Sequence, residues 1–168
     1  MNRLSAFKAV IGPSNQNYYL SYFKRCEDRG YAPVSWNWPV LFLGIFWLLW
    51  RRQYRWALFT MALGIGSSMV SQAVTAQTGS PETGMFAAYL LGLPYLGIYL
   101  PLKANGIYYD WCCKMIDTAG QHLPGQHDQQ KDWLMRKGGI NQSLPLILVL
   151  SFILITLVAG PPPELASQ

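Results

Sequence analysis

The chain has 168 residues, a net charge of +5, 51% apolar residues and only 12% charged ones. A soluble domain carries about 25% charged residues, whereas 56–76, 84–102 and 144–160 carry none here. One such stretch could be a core helix; three argue against a soluble fold and predict an all-α integral membrane protein.

The basic balance does not point to nucleic acid. No compact basic stripe forms, and the cations flank apolar segments, where anionic lipid headgroups attract them. Seven Trp and ten Tyr suit a membrane boundary, with the ring in the apolar layer and the polar atom in water. Three cysteines, Cys26, Cys112 and Cys113, do not make a disulfide framework. Residues 1–11 lack the sustained apolar core of a cleavable signal peptide.

Residues 1–14 read as irregular and end at Gly12-Pro13-Ser14. Tyr19, Tyr22, Phe23 and Cys26 then recur at helical spacing and Gly30 is a natural stop. This is a short amphipathic helix, either packed on the rest of the chain or lying in a membrane surface. The apolar run Trp38–Trp50 follows. Its thirteen residues fall below the roughly 17 that a span needs, so it is either a short crossing or a segment that dips in and returns. Asn37, before Pro39, is placed to cap it.

Residues 56–76 are long enough to cross, and Gly64, Gly66, Ser67, Ser68 and Ser71 permit close helix packing. The turn-rich 77–83 leads to a second crossing, 84–102, which Pro94 should kink. The stretch Asn105–Cys113 continues as an amphipathic helix, with Gly106 permitting a bend and Asn105 free to bond the backbone there. Tyr108, Trp111 and Cys112 share its apolar face. Turns are expected at Gly120, Pro124-Gly125 and Gly138-Gly139, with a short helix over 128–137 whose Trp133 and Leu134 lie against the surface. Residues 144–160 form a last span. The chain divides into a cytoplasmic segment 1–35, a helical membrane domain 36–160 that includes the cytoplasmic loop 103–143, and a tail 161–168.

Lys and Arg keep short loops in the cytoplasm. The loop 77–83 and the tail have none. If Trp38–Trp50 crossed, the N-terminal cluster and the Arg51, Arg52, Arg55 cluster would lie on opposite sides. If it dips and returns, three crossings leave every cation cytoplasmic. The expectation is about three transmembrane helices, one short re-entrant or interfacial helix and amphipathic surface helices. The N-terminus is then cytoplasmic and the C-terminus periplasmic.

Two aromatic signatures, around Trp36-Asn37-Trp38 and around Asn105 with Tyr108-Tyr109, flank an Arg-rich turn. In this order they resemble the domain of unknown function numbered 2628, a family of small bacterial membrane proteins. The positions that match are Trp36, Asn37, Trp38, Trp47, Leu48, Arg51, Asn105, Tyr108 and Tyr109, and the likeness covers roughly residues 18–117. The last span departs from the typical member. The resemblance implies a multi-pass protein of the bacterial inner membrane and no biochemical activity.

No catalytic motif is present. His122 and His127, with Asp128, could touch a metal, but zinc wants three or four ligands at controlled spacing. No metal, cofactor or enzymatic activity is expected. The favoured reading is a non-catalytic subunit that binds or organises a larger membrane complex. Its partners would be membrane lipids and a membrane protein or a second copy of the chain. The interface candidates are Trp36, Asn37, Trp38, Arg51, Arg52, Asn105, Tyr108, Trp111 and Cys112. The alternative is a transport or lipid-handling protein.

Overall fold

The computed structural model describes residues 2–159. The tail 161–168 and the expected end of the last span at Gly160 lie outside the described residues. Every regular element among the described residues is helical.

The first helix corrects the sequence reading. Residues expected to be irregular form α1, Arg3–Ile11, with the Asn2 side chain accepting the Leu4 N–H. Its buried residues are Ala6, Phe7, Ala9, Val10 and Ile11. They are nearly consecutive, so they give no clean helical stripe. Tertiary burial stabilises the helix where periodicity is silent.

Helix α2, Gln16–Arg29, follows the expected pattern. Tyr19, Tyr22, Phe23 and Cys26 are buried, and Gly30 ends the helix at φ 72°, a left-handed conformation that glycine adopts without penalty. The buried face meets the chain itself. The Tyr19 ring lies 4.9 Å from that of Tyr108, and Phe23 lies 5.2 Å from Tyr109. Of the two settings open to this helix, internal packing is the one observed.

The short apolar run is two helices, α3 (Trp38–Leu43) and α4 (Ile45–Trp50), broken at Gly44 with φ 48°. Helix α5, Tyr54–Thr78, then runs antiparallel to α6, Pro81–Leu93. Gly79 closes α5 at φ 66°, the Ser80 hydroxyl accepts the Thr83 N–H, and Pro81 occupies the first turn of α6. Proline costs little there, because first-turn N–H groups have no helical partner. The two helices approach closely at Gly84, where a Cβ would overlap the Ser71 carbonyl and the Thr75 hydroxyl. Gly64 and Gly66, expected to carry the packing, face open space.

The break expected at Pro94 takes the form of a π-helical turn, Pro94–Tyr99. Such turns absorb a proline without ending the helix. The helix resumes as α7, Leu100–His122, so Pro81–His122 is one 42-residue rod. At 1.5 Å per residue it is about 63 Å long, roughly twice the thickness of a hydrocarbon layer. The helix is not interrupted at Gly106. Gly106 sits within α7, where its missing side chain admits Ala32 and the Tyr22 hydroxyl. The second half of the rod is the post around which α1, α2, α3 and α8 gather.

Helix α7 runs through Gly120. The chain then turns at Pro124-Gly125 into α8, His127–Lys137. Leu134 is fully buried, and α8 packs on α1 and α7, so this helix too is internal packing. Gly138 lies under Val10, whose carbonyl accepts the Gly139 N–H at 2.6 Å. Helix α9, Ser143–Ala159, is 17 residues without a charge. Asn141 secures its start. Its backbone N–H donates to the Trp50 carbonyl at 2.8 Å, its side-chain amide donates to Tyr54 at 2.9 Å, and its Oδ1 accepts the Leu144 N–H.

Two of the described helices, not three, are long and apolar enough to cross a membrane: α5 and the Pro81–His122 rod. Their apolar side chains are largely on the outside. The buried core lies elsewhere, among α1, α2, α3, α4, α7 and α8.

Candidate functional site

Two features concentrate the polar residues: a buried seam along α7, and an open cleft beside it.

The seam begins where α3 meets α7. The chain before α3 runs along the rod, with the Ser35 and Asn37 N–H groups donating to the Leu102 and Pro101 carbonyls. That alignment places the Asn37 side chain against Asn105. The Asn37 Nδ2 donates to Asn105 Oδ1 at 2.8 Å, and Asn105 Nδ2 donates to the Tyr18 and Ser35 hydroxyls, each at 2.8 Å. The Asn37 Oδ1 accepts the Val40 N–H at 3.2 Å, which is the capping bond expected of it. Asn105 bonds three side chains from two other segments, α2 and the stretch before α3, rather than only the local backbone. Both asparagines are buried, and a buried amide left without partners is costly.

One turn further along α7, Tyr108 meets the end of α4. Arg51 is buried, 2% exposed, and among the described residues no carboxylate pairs with it. Its Nη2 donates to the Ser14 carbonyl at 2.8 Å, and its Nη1 lies 3.5 Å from the Tyr108 hydroxyl. The guanidinium carbon sits 4.4 Å from the centre of the Tyr19 ring and 5.2 Å from that of Tyr108. The negative faces of these rings stabilise the cation in place of an acid. Both ends of the short apolar segment, Asn37 and Arg51, thus reach the rod within a single turn of each other. A straight helix of that length would separate them by about 20 Å.

Burial raises the Tyr108 hydroxyl and the Cys112 thiol well above their ordinary pKa, against a smaller opposing effect of Arg51 on each. Cys112 is therefore a protonated thiol at neutral pH, without nucleophilic character. Tyr109 donates a hydrogen bond to Glu27 and packs on Phe7 and Phe23. Glu27 also pairs with Arg3 at 2.6 Å, at the surface where such pairs contribute little.

Five interface candidates, Asn37, Arg51, Asn105, Tyr108 and Cys112, are thus buried in the chain's own core. Buried side chains offer nothing to a partner while this packing stands. Trp36 and Trp38 remain exposed, with rings 5.6 Å apart. Arg52 and Trp111 are half-buried and line the cleft. Sequence reasoning missed Ser14, Tyr18, Ser35 and Asn141. The one signal available was an Asn two residues ahead of Ser143 at the start of an apolar run, a capping pattern.

The cleft lies between the start of α5 and the middle of the rod and measures about 1070 Å³. Arg52, Arg55 and Lys114 line one end with Asp110, while Trp56, Phe59 and Tyr95 line the other. Burial raises the Asp110 carboxyl, against the pull of Lys114. Elsewhere, His122 lies 6.4 Å from the Trp133 ring. Among the described residues no three metal-ligating side chains come together.

These features define a class: a small all-helical chain in which a compact bundle with a buried polar seam is continuous with long, outward-facing apolar helices. The chain belongs to the family described as proteins of unknown function, DUF2628, whose model matches residues 22–113. The match holds Asn37, Arg51, Asn105 and Tyr108 of the seam, begins after their partners Ser14, Tyr18 and Tyr19, and stops before α8 and α9. No curated protein and no solved structure matches the chain.

Proposed function

We propose that the chain is a multi-pass protein of the bacterial inner membrane that has no catalysis of its own and organises a larger membrane complex. Helix α5 and the first half of the rod cross the bilayer, and α9, whose 17 described residues sit at the lower bound for a span, crosses as a third. The segment α3–α4 dips in and returns, which leaves the bundle and its cations in the cytoplasm and 77–83 and the C-terminus in the periplasm. The exposed apolar surface of α5 and α6 and the absence of Lys and Arg from 77–83 support this placement.

The observation that carries the docking role is a groove between α5 and α6. Gly64, Ser67, Ser68 and Ser71 line one wall, and Ala88 and Gly92 the other. The Ser67 hydroxyl is buried there without a hydrogen-bond partner. Small side chains let a further helix approach closely, and its backbone or side chains can satisfy the hydroxyl. The test is purification from native membranes in mild detergent, followed by mass spectrometry. One stoichiometric protein partner with the native chain, lost on Ser67→Leu, is the expected result. A chain recovered alone, or a partner kept by Ser67→Leu, contradicts the reading. The cleft favours a second reading, lipid handling.

A further inference from the structure

We propose that the cleft between the start of α5 and the middle of the rod is a binding site for an anionic phospholipid, with the phosphate at Arg52, Arg55 and Lys114 and the acyl chains along Phe59 and Tyr95. The inference rests on the membrane placement above, but not on the accessory role.

The first argument is the polarity gradient. Three cations stand against one carboxylate, Asp110, at one end of the cleft. Asp110 is itself offset by the neighbouring Lys114, whose charge pulls on its carboxyl. The lining turns apolar along α5, from Arg52 and Arg55 to Trp56 and Phe59, and across to Leu91 and Tyr95. A molecule charged at one end and apolar at the other matches this order. A free phosphate would use only the first part.

The second argument is the state of Arg52. It is a non-glycine residue held at φ 60°, a left-handed conformation that costs about 1–2 kcal/mol. That turn sends the two neighbouring arginines apart. Arg51 goes inward beneath Tyr19 and Tyr108, and Arg52 goes to the cleft. The Arg52 Nε is buried and has no hydrogen-bond partner. A buried guanidinium donor without an acceptor calls for one, and a phosphate oxygen is the acceptor that a guanidinium fits best. No side chain caps α5, so its first-turn N–H groups add to the same pull on an anion.

The third argument is access. The apolar end opens sideways, where Phe59 is 52% and Leu91 46% exposed. In the proposed placement these residues face the acyl layer, so a lipid enters laterally with its tails still in the bilayer. In that placement the cationic end lies at headgroup depth, where Trp111 supplies an interfacial ring.

The experiment uses the full chain in detergent, with native mass spectrometry to count bound lipid and a melting curve for each addition. The probes are phosphatidylglycerol, phosphatidylcholine and glycerol 3-phosphate. One phosphatidylglycerol should be retained per chain and should raise the melting temperature, and the other two should do neither. Arg52→Gln with Lys114→Gln should weaken phosphatidylglycerol by about tenfold or more, because charge-assisted bonds are lost, while the lipid-free chain melts as before. Arg55→Gln, a change at an exposed position, gives the same reading should the double variant fold poorly. Equal retention of phosphatidylcholine, or unchanged affinity in folded Arg55→Gln, overturns the proposal. Glycerol 3-phosphate binding as tightly as the lipid overturns it in favour of a soluble phosphate ligand. Loss of the protein partner with lipid retention intact would remove only the accessory role.

Discussion

The Arg51 Nη2 donates to the Ser14 carbonyl oxygen at 2.8 Å. That bond joins the residue just after the short apolar segment to the chain well before it. Whatever surface holds Ser14 therefore also holds Arg51, and the segment between them must return to where it started. Arg51 is buried, the contact itself is part-buried, and Tyr19 and Tyr108 lie against the guanidinium.

Lysine cannot replace Arg51 here. Its ammonium keeps the charge but loses the planar group that donates to Ser14 while lying against two rings. Arg51→Lys should lower stability by about 1–3 kcal/mol, read as a lower melting temperature in detergent. Arg51→Lys melting with the native chain would remove the seam's claim on guanidinium geometry.

Asn37 has two roles, a cap for α3 and a donor to Asn105. Asn37→Ala loses both, at about 0.5–2 kcal/mol for the cap and a further ~1–3 kcal/mol for the unpaired Asn105 oxygen. From sequence, aspartate would be tolerated as a cap. The structure revises that, because the position is 1% exposed and a carboxylate there is desolvated and cannot donate to Asn105. Both variants should melt below the native chain, and an aspartate variant with native melting would contradict the buried pairing.

Gly84 and Gly64 make a matched pair. A methyl at Gly84 meets the backbone of α5, and one at Gly64 meets nothing. Gly84→Ala should cost about 1–3 kcal/mol by overpacking, whereas Gly64→Ala should not lower the melting temperature. The reverse order of melting temperatures would mean that α5 and α6 meet through the other face.

Alkaline pH tests the buried interior of the bundle. Burial raises Tyr19, Tyr108, Cys26 and Cys112 above their ordinary values. The unfolded chain therefore releases these protons at lower pH than the folded one. Stability is insensitive to them below the ordinary thiol and phenol range and falls as pH rises through about 9 to 11. Melting temperature should drop across that window, with tyrosinate absorbance rising as the chain unfolds. Full tyrosinate absorbance in a chain that still melts as it does at neutral pH would contradict the burial of these tyrosines.

The long apolar stretches, the face of α2 with its Gly30 stop, the cap at Asn37 and the doubtful nature of 38–50 are all legible in the residues. So is the family likeness through Asn37, Arg51, Asn105 and Tyr108. What the residues hide has physical reasons. Asn105 and Gly106 look like a break, yet the helix continues through them, because tertiary partners satisfy the asparagine and Ala32 fills the space beside the glycine. Helix α1 buries nearly consecutive residues and so shows no period. The Tyr108 and Cys112 face looked like a docking surface, because an apolar helix face reads the same whether its partner is another protein or another part of its own chain. The chain's own α2 and α4 supply that partner. The cleft could not be read at all, since Arg52 and Lys114 line one cleft only in three dimensions.

The side of the membrane reached by each end of α3–α4 tests the account most directly. Single cysteines at the exposed positions Lys24, Arg55 and Gln77, compared with the unsubstituted chain, can be challenged with an impermeant thiol reagent in intact spheroplasts and again after lysis. Gln77→Cys should react in intact cells, and Lys24→Cys and Arg55→Cys only after lysis. Reaction of Lys24→Cys and Arg55→Cys from opposite sides would mean that the segment crosses, and would contradict the return that Arg51 and Ser14 require.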